Sequence, residues 1–202
     1  VAMGSLAQET ASAEESSVVV IEVEGTIVPV VGQYIERGIR LAEDTGAAAC
    51  VIKLNTPGGL LTATEDIVST IMNADVPVIT YVSPKGAWAA SAGTFITLAS
   101  HIAAMTPGTT IGAAHPVSGD GQEIPEYQLE KITEFAAKWM RPIAEDRGRN
   151  IDEAVLAVTE SKSFTDTQAL EANLIDLRAE SVDSLLELVD GREVTLASGR
   201  IV

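Results

Sequence analysis

The apolar positions fall into two alternating rhythms. Val18-Val19-Val20-Ile21-Glu22-Val23 is a short, largely β-branched run, which predicts a core strand. After Gly25, Val31, Ile35, Ile39 and Ala42 recur at helical spacing, with Glu36, Arg37, Arg40 and Glu43 on the opposite face. Gly46 closes that helix, and Cys50 to Leu54 supplies a second strand. Thr62 to Asn73 then reads as helix and Val76 to Val82 as strand. Alternation at this pitch predicts an α/β fold of right-handed βαβ units around a largely parallel sheet.

The second half continues the pattern with longer helices. Beyond Pro125, a stripe of Leu129, Ile132, Ala136, Trp139, Met140 and Ile143 predicts an amphipathic helix. Pro142 should kink it by removing the hydrogen bond to the Lys138 carbonyl. Ile151 to Thr159, Asp166 to Ala172 and Val182 to Leu188 read as helices, and Leu174 to Arg178 as a strand. No internal repeat or linker divides residues 18–202, which predict a single domain. Residues 1–17 are rich in Ala, Ser and Glu, lack periodicity and predict a disordered arm.

Composition narrows the partners. Of 202 residues, 13 are Lys or Arg and 29 are Asp or Glu, a net charge of −16 that repels nucleic acid and anionic lipid. From Gly86 to Gly119 there is no Asp, Glu, Lys or Arg, but Pro107, Pro116 and several Gly, Ser and Thr residues break the stretch. A buried helix followed by a strand and turn fits it better than a membrane span. Cys50, the one cysteine, sits in an apolar run and reads as a buried structural thiol. Two widely separated histidines offer no zinc-ligand spacing, so no metal is expected.

Two glycine-rich strand-to-helix junctions carry the chemistry. One is Asn55-Thr56-Pro57-Gly58-Gly59-Leu60; the other is Gly86-Ala87-Trp88-Ala89-Ala90-Ser91-Ala92-Gly93-Thr94. Tandem glycines let backbone N–H groups approach a ligand closely. A serine at a helix start is surrounded by N–H donors that the helix leaves free. Two such junctions at the C-terminal ends of adjacent parallel strands would converge on one crevice. A nucleophile beside an oxyanion hole is what acyl transfer requires.

Thr56-Pro57-Gly58-Gly59 followed by Ala89-Ala90-Ser91-Ala92-Gly93 resembles the Clp protease and signal-peptide peptidase clan. The closer resemblance is to the NfeD family, membrane-bound serine peptidases often paired with stomatin-like proteins. Ala104 to Ala113, Ala144 to Asn150 and Phe164 to Asp176 fit that family too. The one departure is Asn173, where the family usually has Gly; Asn is the next best residue for a left-handed turn. The resemblance implies a Clp/crotonase-like fold and a serine endopeptidase acting on hydrophobic segments, including those of a stomatin-like partner. It also implies a homo-oligomer, at least a dimer, with no metal or cofactor. The whole protein would be membrane-associated with this domain outside the cytoplasm. Backbone N–H groups of Gly59 and Ala92 would hold the oxyanion, with Gly58 as the alternate for the first.

Ser91 needs a base. The NfeD and signal-peptide peptidase pattern is a Ser–Lys dyad, and it carries over to Lys131, forty positions after the serine (131 − 91). Lys138 is the rival, since seven residues bring the two within roughly 20° on a helical wheel. Lys138 has Glu134 and Arg141 around it, a solvated setting, whereas Lys131 borders Phe135 and the apolar stripe and is expected to be partly buried. In Clp proteases the base is a histidine two positions before a proline. Here that position is Ala114, and His115 lies one residue on, where strand alternation would turn it to the other face. His101 reads as a packed histidine. Two further readings stay open: a crotonase-like acyl-CoA enzyme and a non-catalytic partner-binding module of the same fold. The first predicts catalytic acids and a basic phosphate pocket, neither of which is evident.

Overall fold

A computed structural model describes residues 17–117 and 125–202. Of the expected arm, residues 1–17, all but Ser17 lie outside the described residues; Ser17 is exposed and its carbonyl accepts the Ala48 N–H at 2.8 Å. The first half runs β1 (Val18–Glu24), α1 (Pro29–Thr45), β2 (Ala49–Asn55), α2 (Leu61–Met72), β3 (Val78–Val82), β4 (Trp88–Ala90), α3 (Ala92–Ala99) and β5 (Ile102–Met105). The second runs β6 (Thr110–Gly112), α4 (Glu126–Asp146), α5 (Ile151–Thr159), β7 (Ser163–Thr165), α6 (Asp166–Glu171), β8 (Leu177–Arg178) and α7 (Val182–Val189).

β1, β2, β3, β5 and β8 form one sheet in that order, every pair parallel. Alternate residues of a strand serve opposite faces. In β2, Cys50, Ile52 and Leu54 join the large core beneath α1, α2 and α3, while Ala49 and Val51 join a smaller core with Tyr81 and Leu185 of α7. Cys50 is fully buried, and burial, with Glu43 nearby, pushes its thiol up to about 12, so it stays a neutral core residue.

A second sheet, β4-β6-β7, stands at the C-terminal ends of these strands. It was absent from the sequence reading, and it positions the site. Thr56, just past β2, bridges Ala89 of β4, and Ile27, past β1, bridges Gly59. The strands of the main sheet thus hand over to a smaller layer that frames the glycine junctions.

α4 runs from Glu126 to Asp146 with Pro142 inside it. Asn173 adopts φ 55°, the left-handed turn expected of it, and its amide donates to Gly148 O at 3.0 Å. The strand expected over Leu174–Arg178 pairs only at Leu177 and Arg178. Its first residues turn inward instead, and Leu174 and Ile175 are buried in the core.

Arg149 holds the far end of α3. Its side chain is 2% exposed, and it donates to the carbonyls of Leu98, Ser100 and Leu174 and to Asp176. The Leu98 and Ser100 carbonyls stand at the unpaired end of α3, and the guanidinium satisfies them directly while also reaching the Leu174 carbonyl beyond α6. Arg149→Ala should therefore cost about 3 kcal/mol or more, because it leaves three buried carbonyls without a donor. Urea denaturation measures this, and a loss below about 1 kcal/mol would contradict it.

Candidate active site

Ser91 sits between β4 and α3 with φ 51° and ψ −113°. A non-glycine residue held there stores roughly 1–3 kcal/mol, so its neighbours must enforce the turn. The Ser91 N–H donates to Gly112 O at 3.0 Å, and its carbonyl accepts the Thr94 N–H at 2.9 Å. The Thr94 hydroxyl lies within 3.0 Å of the Ala89 and Gly112 carbonyls and accepts the Gly112 N–H at 3.1 Å. One buried threonine thus ties α3 to β4 and β6.

The first junction meets Ser91 at close quarters. Gly58 has φ 116°, and a Cβ on it would stand 2.6 Å from Ser91 Cβ and 3.2 Å from its Oγ. A Cβ on Gly59 would stand 2.0 Å from Ile27 O, and one on Gly93 would stand 2.7 Å from Thr56 Cγ2. Real side chains do not fit such gaps, so glycine is required at all three positions. The Gly58 N–H is taken by Thr56 Oγ1 at 3.0 Å. Among the described residues, the N–H groups of Gly59 and Ala92 donate to no protein acceptor.

Ser91 opens onto a groove of about 780 Å³ with walls that include Val28, Leu60, Phe95, Val117, Ile132 and Ala136. Among the described residues, His115 is the only ionisable side chain on its lining.

The candidate bases are placed differently from one another. Lys131 is exposed and does not line the groove, although its neighbour Ile132 does. The partial burial expected of it is not found: Tyr127 and Phe135, one turn to either side, are 74% and 51% exposed. Lys138 is solvated and pairs with Glu134 at 3.2 Å. His115 does line the groove, contrary to the alternation argument. The reason is Ala113, whose φ of 48° breaks the strand just before it, so period two no longer applies.

His101 is packed, as expected. Its Nδ1 accepts the Val78 N–H at 3.1 Å, and burial, with Arg147 nearby, lowers it to about 4.

Residues 17–190 match the family described as NfeD1b, N-terminal domain. The chain belongs to this family. This NfeD1b domain is 38% identical over 187 residues to the membrane-bound protease PH1510 of Pyrococcus horikoshii, covering 92% of this chain and 42% of that protein. It therefore spans less than half of that relative. Two structures of the 1510-N membrane-bound stomatin-specific protease superpose on it with TM-scores of 0.85 and 0.86, at 37% and 36% identity. They cover 93% and 94% of this chain, and 91% and 87% of theirs. One is a serine-to-alanine variant; the other is a lysine-to-alanine variant in complex with a substrate peptide. ClpP1 of Listeria monocytogenes superposes with TM-score 0.65 at 20% identity, covering 83% of this chain and 94% of its own. That likeness concerns the fold alone: the NfeD1b domain has the Clp-protease-like fold. Among the described residues, no helix is long and apolar enough to cross a membrane.

His101 gives a pH test of the packing around α3. The folded ring stays neutral down to about 4, whereas the unfolded ring protonates near 6.5. Below that value the unfolded state binds a proton the folded state refuses, so stability falls as pH drops from 6.5 towards 4. The loss attributable to His101 is up to about 3 kcal/mol. Urea unfolding across this window should show a shallower decline for His101→Asn than for the parent protein. Equal slopes would contradict the assignment.

Proposed function

We propose that this domain is a serine endopeptidase with Ser91 as nucleophile and Lys131 as base. The N–H groups of Gly59 and Ala92 stabilise the oxyanion. The observation that carries the reading is the convergence of Ser91 with two uncommitted N–H donors at the head of an apolar groove. Because the Gly58 N–H is committed to Thr56, the geometry favours Gly59 over Gly58 as the first donor.

Spacing supports Lys131. The serine and lysine replaced in the two 1510-N structures lie 41 positions apart (138 − 97). Here Lys131 follows Ser91 by 40 (131 − 91) and Lys138 by 47 (138 − 91).

In the proposed reaction, neutral Lys131 takes the hydroxyl proton as Ser91 Oγ bonds to the peptide carbonyl carbon. The tetrahedral anion rests on the Gly59 and Ala92 N–H groups. The C–N bond breaks as the lysine ammonium returns its proton to the leaving nitrogen, which leaves an ester on Ser91. Water, deprotonated by the same lysine, hydrolyses that ester. No metal or cofactor enters these steps.

A lysine serves as base only in its neutral form, which surroundings that exclude water favour. Lys131 must therefore be covered in the working enzyme. Its flanking aromatics, Tyr127 and Phe135, fit a homodimer in which a second copy encloses the groove.

The apolar lining suits hydrophobic peptide segments. The stomatin specificity in the name of the 1510-N relative supports a stomatin-like membrane partner as substrate. The membrane-bound relative supports a membrane-associated whole protein. Placement of this domain outside the cytoplasm rests on the family resemblance alone.

One observation favours a second reading: His115, not Lys131, lines the groove, so a Clp-type serine–histidine pair is the alternative. Cleavage of apolar peptides by variants decides between them. Ser91→Ala should abolish turnover. Lys131→Ala should lower kcat/KM by about 10²–10⁴-fold, with His115→Ala retaining activity. Activity surviving in Ser91→Ala would end the peptidase reading. Loss in His115→Ala with Lys131→Ala active would transfer the base to histidine.

A further inference from the structure

The stretch Ala113–His115 is bolted to the end of α5. Ala113 N–H donates to Lys162 O at 3.0 Å, Ala114 N–H to Ala157 O at 2.8 Å, and His115 Nδ1 lies 3.0 Å from Val158 O. A carbonyl only accepts, so Nδ1 carries the ring hydrogen and the neutral imidazole keeps its lone pair on Nε2. Nε2 makes no hydrogen bond among the described residues. Ser161 also lines the groove, held at φ 53° just beyond α5. Of the other hydroxyls on the lining, Thr64 donates to Leu60 O, Ser91 is the proposed nucleophile and Thr26 belongs to the loop after β1.

We infer that His115 and Ser161 form a polar corner that sets the register of the substrate. This corner selects an otherwise apolar segment with one hydrogen-bond-donating side chain, a hydroxyl or carboxamide, at a fixed offset from the cleaved bond. The inference rests on the groove being the peptide site proposed above. An apolar segment can slide in an apolar groove, because every register buries similar surface. An acceptor on the groove wall that a bound segment covers without offering a donor penalises every register but the one that supplies it.

Binding separates this inference from the catalytic reading. A threonine is walked through a fluorescent peptide of Val, Leu and Ala, against its Val isostere, and titrated into Ser91→Ala. The same series is cleaved by the parent enzyme and the cut sites mapped. Expected are a roughly tenfold lower Kd with threonine at one position and a cut site that follows the threonine at constant offset. His115→Phe, in the Ser91→Ala background, should erase the preference, chiefly by tightening binding of the threonine-free peptide. Ser161→Ala should weaken the preference in part, and it supplies the variant test should His115→Phe fail to fold. Kd values indifferent to the threonine, or a preference that persists in His115→Phe, would overturn the inference. So would abolished cleavage by His115→Phe with peptide binding unchanged, since the ring would then be the base. The binding arm reads the corner whether or not Ser91 is the nucleophile.

Discussion

The site depends on one close approach: Gly58 passes Ser91 with no room for a Cβ between them. The loop that leaves β2 of the main sheet and the turn that leaves β4 of the small sheet touch at a point where Gly58 has no side chain. Gly59, Ser91 and Ala92 all line the groove beside that contact. Everything around it serves to hold two backbones against each other. Thr56 closes the glycine turn with its hydroxyl, and its backbone pairs with β4 on the other side. Gly93 leaves space for the Thr56 methyl. A methyl group at any of these glycines would push the layers apart, and misplacement by about 1 Å can cost 10²-fold in rate.

α3 transmits this constraint through the domain. All eight of its residues are buried, so it cannot tilt without disturbing the core. Its first turn presents Ser91, and its last carbonyls are gripped by Arg147 and Arg149. The strained Ser91 backbone is therefore held from both ends of a short rigid rod. A helix with both ends fixed can sustain a turn that an isolated segment would relax.

Much of this was legible in the sequence. The runs that became β1, β2 and β3 are long enough and apolar enough to show themselves, and the stripes of α1 and α4 are equally plain. Asn173 announced its left-handed turn. The small sheet was not legible, because Trp88–Ala90, Thr110–Gly112 and Ser163–Thr165 are three residues each and their partners lie far away in sequence. Thr56 and Thr94 looked like ordinary members of Gly- and Ala-rich runs; only pairing across layers gives their hydroxyls a role. His115 was misplaced by a rule for regular strands that Ala113 breaks. Lys131 was named by resemblance, and the burial expected of it is not found because the neighbours meant to cover it, Phe135 among them, are themselves exposed.

The central claim is that Ser91 attacks a peptide carbonyl and carries the acyl group. Rapid acid quench of the protein with an apolar peptide ester, followed by intact mass and peptide mapping, tests it directly. A peptidyl ester on Ser91 alone, no longer formed in Lys131→Ala, is the predicted result. Cleavage without any adduct on Ser91, or an adduct on another residue, would contradict it.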